Sequence, residues 1–227
     1  MNALPDSFVT TRLAVHALAE HVLCAVRYAA VERIGLAPVP DGIATPPFDG
    51  RTVGLRGLEL VDRGPDGERR APVTTLRAAA DHFGIAVGAP PLWTAVTAPD
   101  PDAPLPIDEI DLRLLCGWFT LTGEALATQA PDASTTLWPE HFDLATTVRD
   151  TELGDITFGG SPGDAEHEQP YLYALPPSPV PDGDRSFWNE PFGAALSYDR
   201  VTTAGDATDF FADAAARVCA AATSEAG

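Results

Sequence analysis

A chain of 227 residues with 45% apolar content is long enough to bury a sizeable core, which argues against disorder over most of its length. All fourteen basic residues are arginine, and the lack of lysine excludes Schiff-base, pyridoxal-phosphate and P-loop chemistries, which rest on a lysine amine. The net charge of -19 argues against nucleic acid and anionic membrane surfaces as partners; it reads first as solubility and second as an acidic face for a basic protein partner.

The first predicted element is a helix, with Val15, Leu18, Val22 and Val26 at three- and four-residue spacing and Thr10 or Thr11 as its N-cap. Arg12, His16 and Glu20 share another face, expected to be solvated. His16, Glu20 and His21 approach an inverted zincin pattern, but five residues separate the histidines, which places them roughly 140° apart around a helix, so no metal site is expected there. Strand-like pieces follow at Arg33–Val39, Ile43–Phe48 and Thr52–Val61, with turns at Pro40–Gly42 and Gly64–Gly67. A second helix is predicted over Val73–Phe83 and ends at Gly84. The proline-rich acidic segment Ala98–Pro106 reads as an exposed loop. A third helix spans about Ile107–Thr128, with Ile110, Leu114, Trp118 and Leu121 as its apolar stripe. Strands return at Phe142–Val148, Ile156–Phe158, Tyr171–Leu175 and Ala194–Tyr198, with a loop over Pro176–Gly183. A last helix, about Ala207–Ala222, turns Phe210, Phe211, Ala214 and Val218 inward.

Strands in hairpin-spaced groups favour an α+β fold. The expectation is one domain over 1–227, with a central, mostly antiparallel sheet and about four packed helices; a subdivision into 1–97 and 107–227 is the alternative. Cys24, Cys116 and Cys219 form no C-x-x-C pair and read as core residues in a reducing compartment. Met1–Thr10 carries neither a basic nor an apolar targeting region, and apolar runs elsewhere look too short to span a bilayer. A soluble, cytoplasmic protein is expected.

Half of the aromatic residues fall between Trp138 and Tyr198. The runs there are Trp138-Pro-Glu-His-Phe-Asp-Leu-Ala145, Phe158-Gly-Gly-Ser-Pro-Gly-Asp164, Pro170-Tyr-Leu-Tyr173 and a segment around Trp188 before the last helix. On these motifs the chain resembles a bacterial, mainly actinobacterial, family of unknown function with a Trp-Pro-x-His-Phe-Asp-Leu-Ala … Ser-Pro-Gly-Asp … Pro-Tyr-x-Tyr pattern. The resemblance covers nearly the full length, is specific in the C-terminal motifs, and implies a single α+β unit. It implies no activity.

Within these runs, Gly159-Gly-Ser-Pro-Gly163 matches the nucleophile-elbow signature, but Pro162 has no N–H for an oxyanion, so a hairpin turn is favoured. If residues 141–148 form a strand, His141 and Asp143 share one face, with His141 as general acid or base and Asp143 orienting it. Trp138, Tyr171, Tyr173, Trp188 and Glu190 would line a polar-aromatic cleft for a small molecule. The bland alternative, tyrosines at alternate positions that simply pack well in a half-buried strand, is the favoured reading of that pair. Whether the chain is an enzyme is open, and the sequence names no cofactor. Two rival functions are a non-catalytic acidic interaction module with a basic protein partner, and an iron-dependent oxygenase on His141, Asp143 and His167.

Overall fold

Strands that follow one another closely in this sequence pair with one another, and they do so twice. The computed structural model describes residues 4–98, 100–150, 154–177 and 184–225. It is an α+β fold with two antiparallel sheets of five strands in place of the one central sheet expected, and four helical rods among the described residues. The chain divides into two compact units: Leu4–Gly117 with Thr136–Phe142, and Trp118–Thr135 with Asp143 onward.

The first unit opens with one helical run of α1 (Phe8–Leu18), a π-helical turn (Ala19–Leu23) and α2 (Cys24–Val31). The run starts two to three residues before the expected cap, at Phe8, and Glu32 ends it in the left-handed conformation. Apolar residues surround it on nearly all sides, which is why it is a core helix. It is the one helix among the described residues long and apolar enough to cross a membrane (mean hydropathy 1.2), contrary to the sequence expectation. Yet 72% of that window is buried inside the fold.

The first sheet is a meander of β1 (Ala37–Val39), β2 (Gly42–Ala44), β3 (Thr52–Arg56), β4 (Glu59–Gly64) and β5 (Gly67–Pro72). The single strand expected over 52–61 is broken at Gly57 (φ 53), where a tight turn reverses the chain. Ile43, Leu55 and Leu60 lie in register across β2, β3 and β4 and are fully buried. One row further, buried Asp62 receives both arms of the Arg51 guanidinium, at 2.8 and 3.0 Å, and an ion pair from Arg69. The same arginines donate to Phe83 O (2.9 Å) and His82 O (3.1 Å), fixing the end of α3 (Leu76–Phe83) to the sheet. Thr75 caps α3 by accepting the Ala78 N–H, and Gly84 (φ 80) ends it as expected.

The α4 helix (Glu109–Gln129) lies where predicted, but Ile110 and Leu114 are exposed. The inward stripe is Leu112, Leu115, Phe119, Thr122 and Leu126, an equally regular spacing that sequence alone does not rank above the other.

The second sheet is β6 (Thr135–Trp138), β7 (Asp143–Val148), β8 (Ile156–Ser161), β9 (Tyr171–Leu175) and β10 (Ala194–Ser197), again in chain order; the second unit takes α4 from Trp118 and this sheet from β7 on. One face is apolar: Phe158 meets Phe211 of α5 (Ala204–Glu225) at 5.4 Å between ring centroids, and Leu144, Leu172, Ala174 and Ala194 are buried. Gly159 and Gly160 are strand residues, not the turn expected. The loop predicted over Pro176–Gly183 lies, from 178 on, outside the described residues. Cys24 and Cys116 are buried as expected; Cys219 is exposed, on the outer side of α5.

Candidate functional site

The second sheet's other face is polar and aromatic. Period-two alternation and the strand register bring Asp143, Ala145, Gly159, Tyr171, Tyr173 and Ala195 to it. Gly159 lies directly opposite Tyr173, and the phenol ring crosses it. A Cβ at 159 would fall 2.8 Å from Tyr173 Cε1 and nearer still to Cζ and the hydroxyl. The Tyr173 hydroxyl donates to Asp143 Oδ2, and both side chains are buried. The Tyr171 hydroxyl donates to Asp164 Oδ2 at 2.6 Å, and the two tyrosine rings sit 6.2 Å apart.

His167 completes the cluster. Its ring lies 4.6 Å from that of Tyr171, and its Nε2–H donates to Glu190 Oε1 at 3.1 Å. Its Nδ1 is 3.8 Å from Asp164 Oδ1, which itself accepts the N–H groups of Glu166 and His167 at 2.8 and 2.7 Å. Phe192 stands edge-on to Tyr173 with centroids 6.5 Å apart.

Burial, and then the carboxylate each one bonds, pushes both tyrosine hydroxyls above the ordinary range. At neutral pH they are hydrogen-bond donors, not bases or nucleophiles. Burial alone would raise the Asp164 carboxyl, but the Tyr171 hydroxyl and two backbone N–H groups hold it below its usual value.

Of the residues expected at the site, Asp143, Tyr171, Tyr173 and Glu190 therefore belong to one network in the second unit. Trp188 is in the same unit but buried, edge-on to Phe187 at 5.0 Å, so it is packing and not an open wall. Trp138 and His141 belong to the first unit. The strand begins only at Asp143, because Phe142 takes the left-handed conformation (φ 54), so His141 does not share a strand face with Asp143. His141 is exposed, and Trp138 is 37% exposed. Among the described residues no group of three His, Cys, Asp or Glu side chains is placed to hold a metal ion, the set His141, Asp143 and His167 included.

The first unit holds a second polar constellation, on the helix face expected to be solvated. Arg12, His16 and Glu20 are all buried. The His16 Nε2–H donates to Pro139 O at 2.9 Å, and its ring stacks on Phe142, 4.9 Å away and 8° from parallel. The turn Trp138–Phe142 is closed by Phe142 N–H to Trp138 O at 2.7 Å, and Phe142 holds a conformation rare for a bulky residue. Glu20, on the π-helical turn, bonds the 93–97 loop. The signal that could have revealed this face is the apolar residues all round the helix, which leave no side for solvent.

Burial pushes the His16 imidazole down to about 4, against the opposing pull of Glu20 and the Pro139 carbonyl. The unfolded chain takes up this proton below about pH 6.5 and the folded protein does not until about pH 4, so stability falls as pH falls through that window. The expected loss is roughly 3 kcal/mol across it, at 1.36 kcal/mol per unit. Chemical denaturation between pH 6.5 and 5 checks this: His16→Gln is expected to remove most of the slope, and an unchanged slope would refute the assignment.

The architecture defines an α+β protein of two antiparallel meanders, one of which carries a polar-aromatic face. No known family model, no curated protein and no solved structure matches the chain.

Proposed function

We propose that the Tyr171–Tyr173 face of the second sheet binds a small polar molecule. The observation that carries this is the pairing on one strand of two buried tyrosine hydroxyls, each bonded to its own carboxylate, beside the half-buried His167–Glu190 pair. A core built for stability alone has little use for such a concentration of polar groups on one sheet face. What the face offers a ligand is mainly acceptors, the carboxylates of Asp143, Asp164 and Glu190, framed by aromatic rings. A ligand with several hydrogen-bond donors fits it.

Native mass spectrometry of gently purified protein tests this. Excess mass from a bound small molecule, lost in Tyr173→Phe with folding intact, is the expected result. An apo mass, together with no thermal stabilisation by any of a broad panel of amines and polyols, would remove the proposal.

The second reading, an acidic interaction module, is favoured by a different observation. Arg51, Arg63, Arg70, Arg77, Arg113 and Arg217 are each paired with a carboxylate of the same chain, leaving the acidic excess of a -19 chain for a basic protein partner. Such binding weakens with salt. The free, widely spaced thiols Cys24, Cys116 and Cys219 favour a reducing, cytoplasmic location. The resemblance to an actinobacterial family of unknown function is a proposal carried by the Trp138–Ala145, Phe158–Asp164 and Pro170–Tyr173 motifs and the segment around Trp188.

A further inference from the structure

We infer that the open edge of β5 pairs with the same edge of a second copy of this chain, joining two first-unit sheets across a two-fold axis at Arg69. β5 is the outer strand of its sheet, and its residues are exposed except for half-buried Ala71. The Val73 N–H donates to Leu58 O at 2.9 Å, which makes 58 and 73 a hydrogen-bonded pair. Every second pair along the same register does likewise, so Leu60–Ala71, Asp62–Arg69 and Gly64–Gly67 use the inner edge of β5. The N–H and carbonyl groups of Glu68 and Arg70 therefore point away from β4. Among the described residues nothing bonds them.

Each of the other sheet edges carries a bond of its own. At β10 the Asn189 side-chain amide bonds both the N–H and the carbonyl of Ala195, at 2.9 and 3.1 Å. Leu36, beside β1, and Leu137 of β6 bond each other at 2.8 and 3.0 Å. A bare edge is a template for another strand, and charged side chains ordinarily keep it single because an arbitrary neighbour leaves them unmatched. Here the strand matches itself.

About an axis through Arg69, antiparallel register sets Glu68 opposite Arg70 of the second copy, and Arg70 opposite its Glu68. Both residues present free backbone groups there, so each pair exchanges both N–H···O bonds. On the solvent face Glu68 then lies between Arg63 of its own β4, which donates to it at 2.6 Å, and Arg70 of the second copy. A slip by two residues sets Glu68 against Glu68 or Arg70 against Arg70, so charge fixes the register. Arg69 meets Arg69 on the other face, but each is drawn back, ion-paired with Asp62 and donating to His82 O at 3.1 Å. No bulge interrupts the register of β5 with β4, and Pro72 lies at its end, clear of the Glu68–Arg70 pairs. The net charge of -19 resists contact at long range. Yet Glu59, Arg63, Glu68 and Arg70 balance one another on this face, and physiological salt screens charges beyond about 8 Å.

Sedimentation equilibrium of the full chain in physiological salt, from micromolar to near-millimolar concentration, tests this. The average mass is expected to rise from 23.9 kDa toward twice that, while amide exchange at Glu68 and Arg70 slows. Glu68→Arg and Arg70→Glu each set like charges opposite one another and are expected to weaken the dimer about tenfold. The double variant Glu68→Arg/Arg70→Glu restores opposite charges across the axis and is expected to restore the dimer. Melting curves report whether each variant folds. A monomer mass at all concentrations, a dimer indifferent to both single substitutions, or a folded double variant that stays monomeric would overturn the pairing.

Discussion

Replacing Glu20 by alanine is expected to destabilise the protein by about 4 kcal/mol, read from chemical denaturation. Glu20 is fully buried. Its Oε1 accepts Trp93 Nε1–H at 2.9 Å and Val96 N–H at 2.8 Å; its Oε2 accepts the Thr97 N–H at 2.9 Å and the Thr97 hydroxyl at 2.6 Å. Alanine leaves all four donors without the carboxylate they bond. Burial by itself would raise this carboxyl, but the Thr97 and Trp93 donors outweigh it and hold the carboxyl below its usual value. The group is therefore ionised at neutral pH; its contribution is present above the unfolded value near 4.5 and is lost as pH falls through the folded one. Glu20→Gln keeps the shape but turns an amide N–H₂ toward donors, so about half the loss is expected. Wild-type stability in the alanine variant would mean that the 93–97 loop finds other partners, and would end the view of Glu20 as its anchor.

The second large effect is expected at Gly159. A methyl group there must displace the Tyr173 ring, combining overpacking with loss of the bond to a buried carboxylate, for about 3–5 kcal/mol. Gly160→Ala is the natural control. Its Cβ would approach the Thr122 side chain, 2.5 Å from Oγ1 and 2.8 Å from Cγ2, which can turn aside more easily than a ring wedged in a sheet. A double-mutant cycle gives the sharper test. In a Tyr173→Ala background, Gly159→Ala is expected to lose most of its effect; additivity would show that the ring is not what the glycine accommodates.

The elements with strong periodicity or strong punctuation were legible in the sequence. Gly84 ended α3, Tyr171 and Tyr173 shared a strand face, and Phe211, Ala214 and Val218 faced inward on α5. What sequence could not supply was the set of long-range partners. Asp143 was read as orienting His141 two residues away, whereas its shown partner is Tyr173, thirty residues on. The reason is one backbone torsion at Phe142, which no propensity forecasts for a phenylalanine. Likewise, the spacing of His16 and Glu20 on one helix face was clear, but whether that face met water or protein depended on segments a hundred residues apart. Asp164 was passed over as part of a turn, although it bonds Tyr171 and braces His167. Gly159 was read as punctuation, when its lack of a side chain is what lets Tyr173 lie where it does.

The strand order has a consequence for how this chain is made. In both sheets every strand lies beside its immediate neighbour in sequence, and the long-range exception is the bridge between Leu36 and Leu137. Closing such short loops forfeits little chain entropy, and each hairpin already formed is a template for the next. The whole first meander ends at Pro72, well before β6 begins at Thr135. A ribosome releasing the chain from its N-terminus thus delivers one complete sheet before the first strand of the other has been synthesised, and the two never compete for partners during birth.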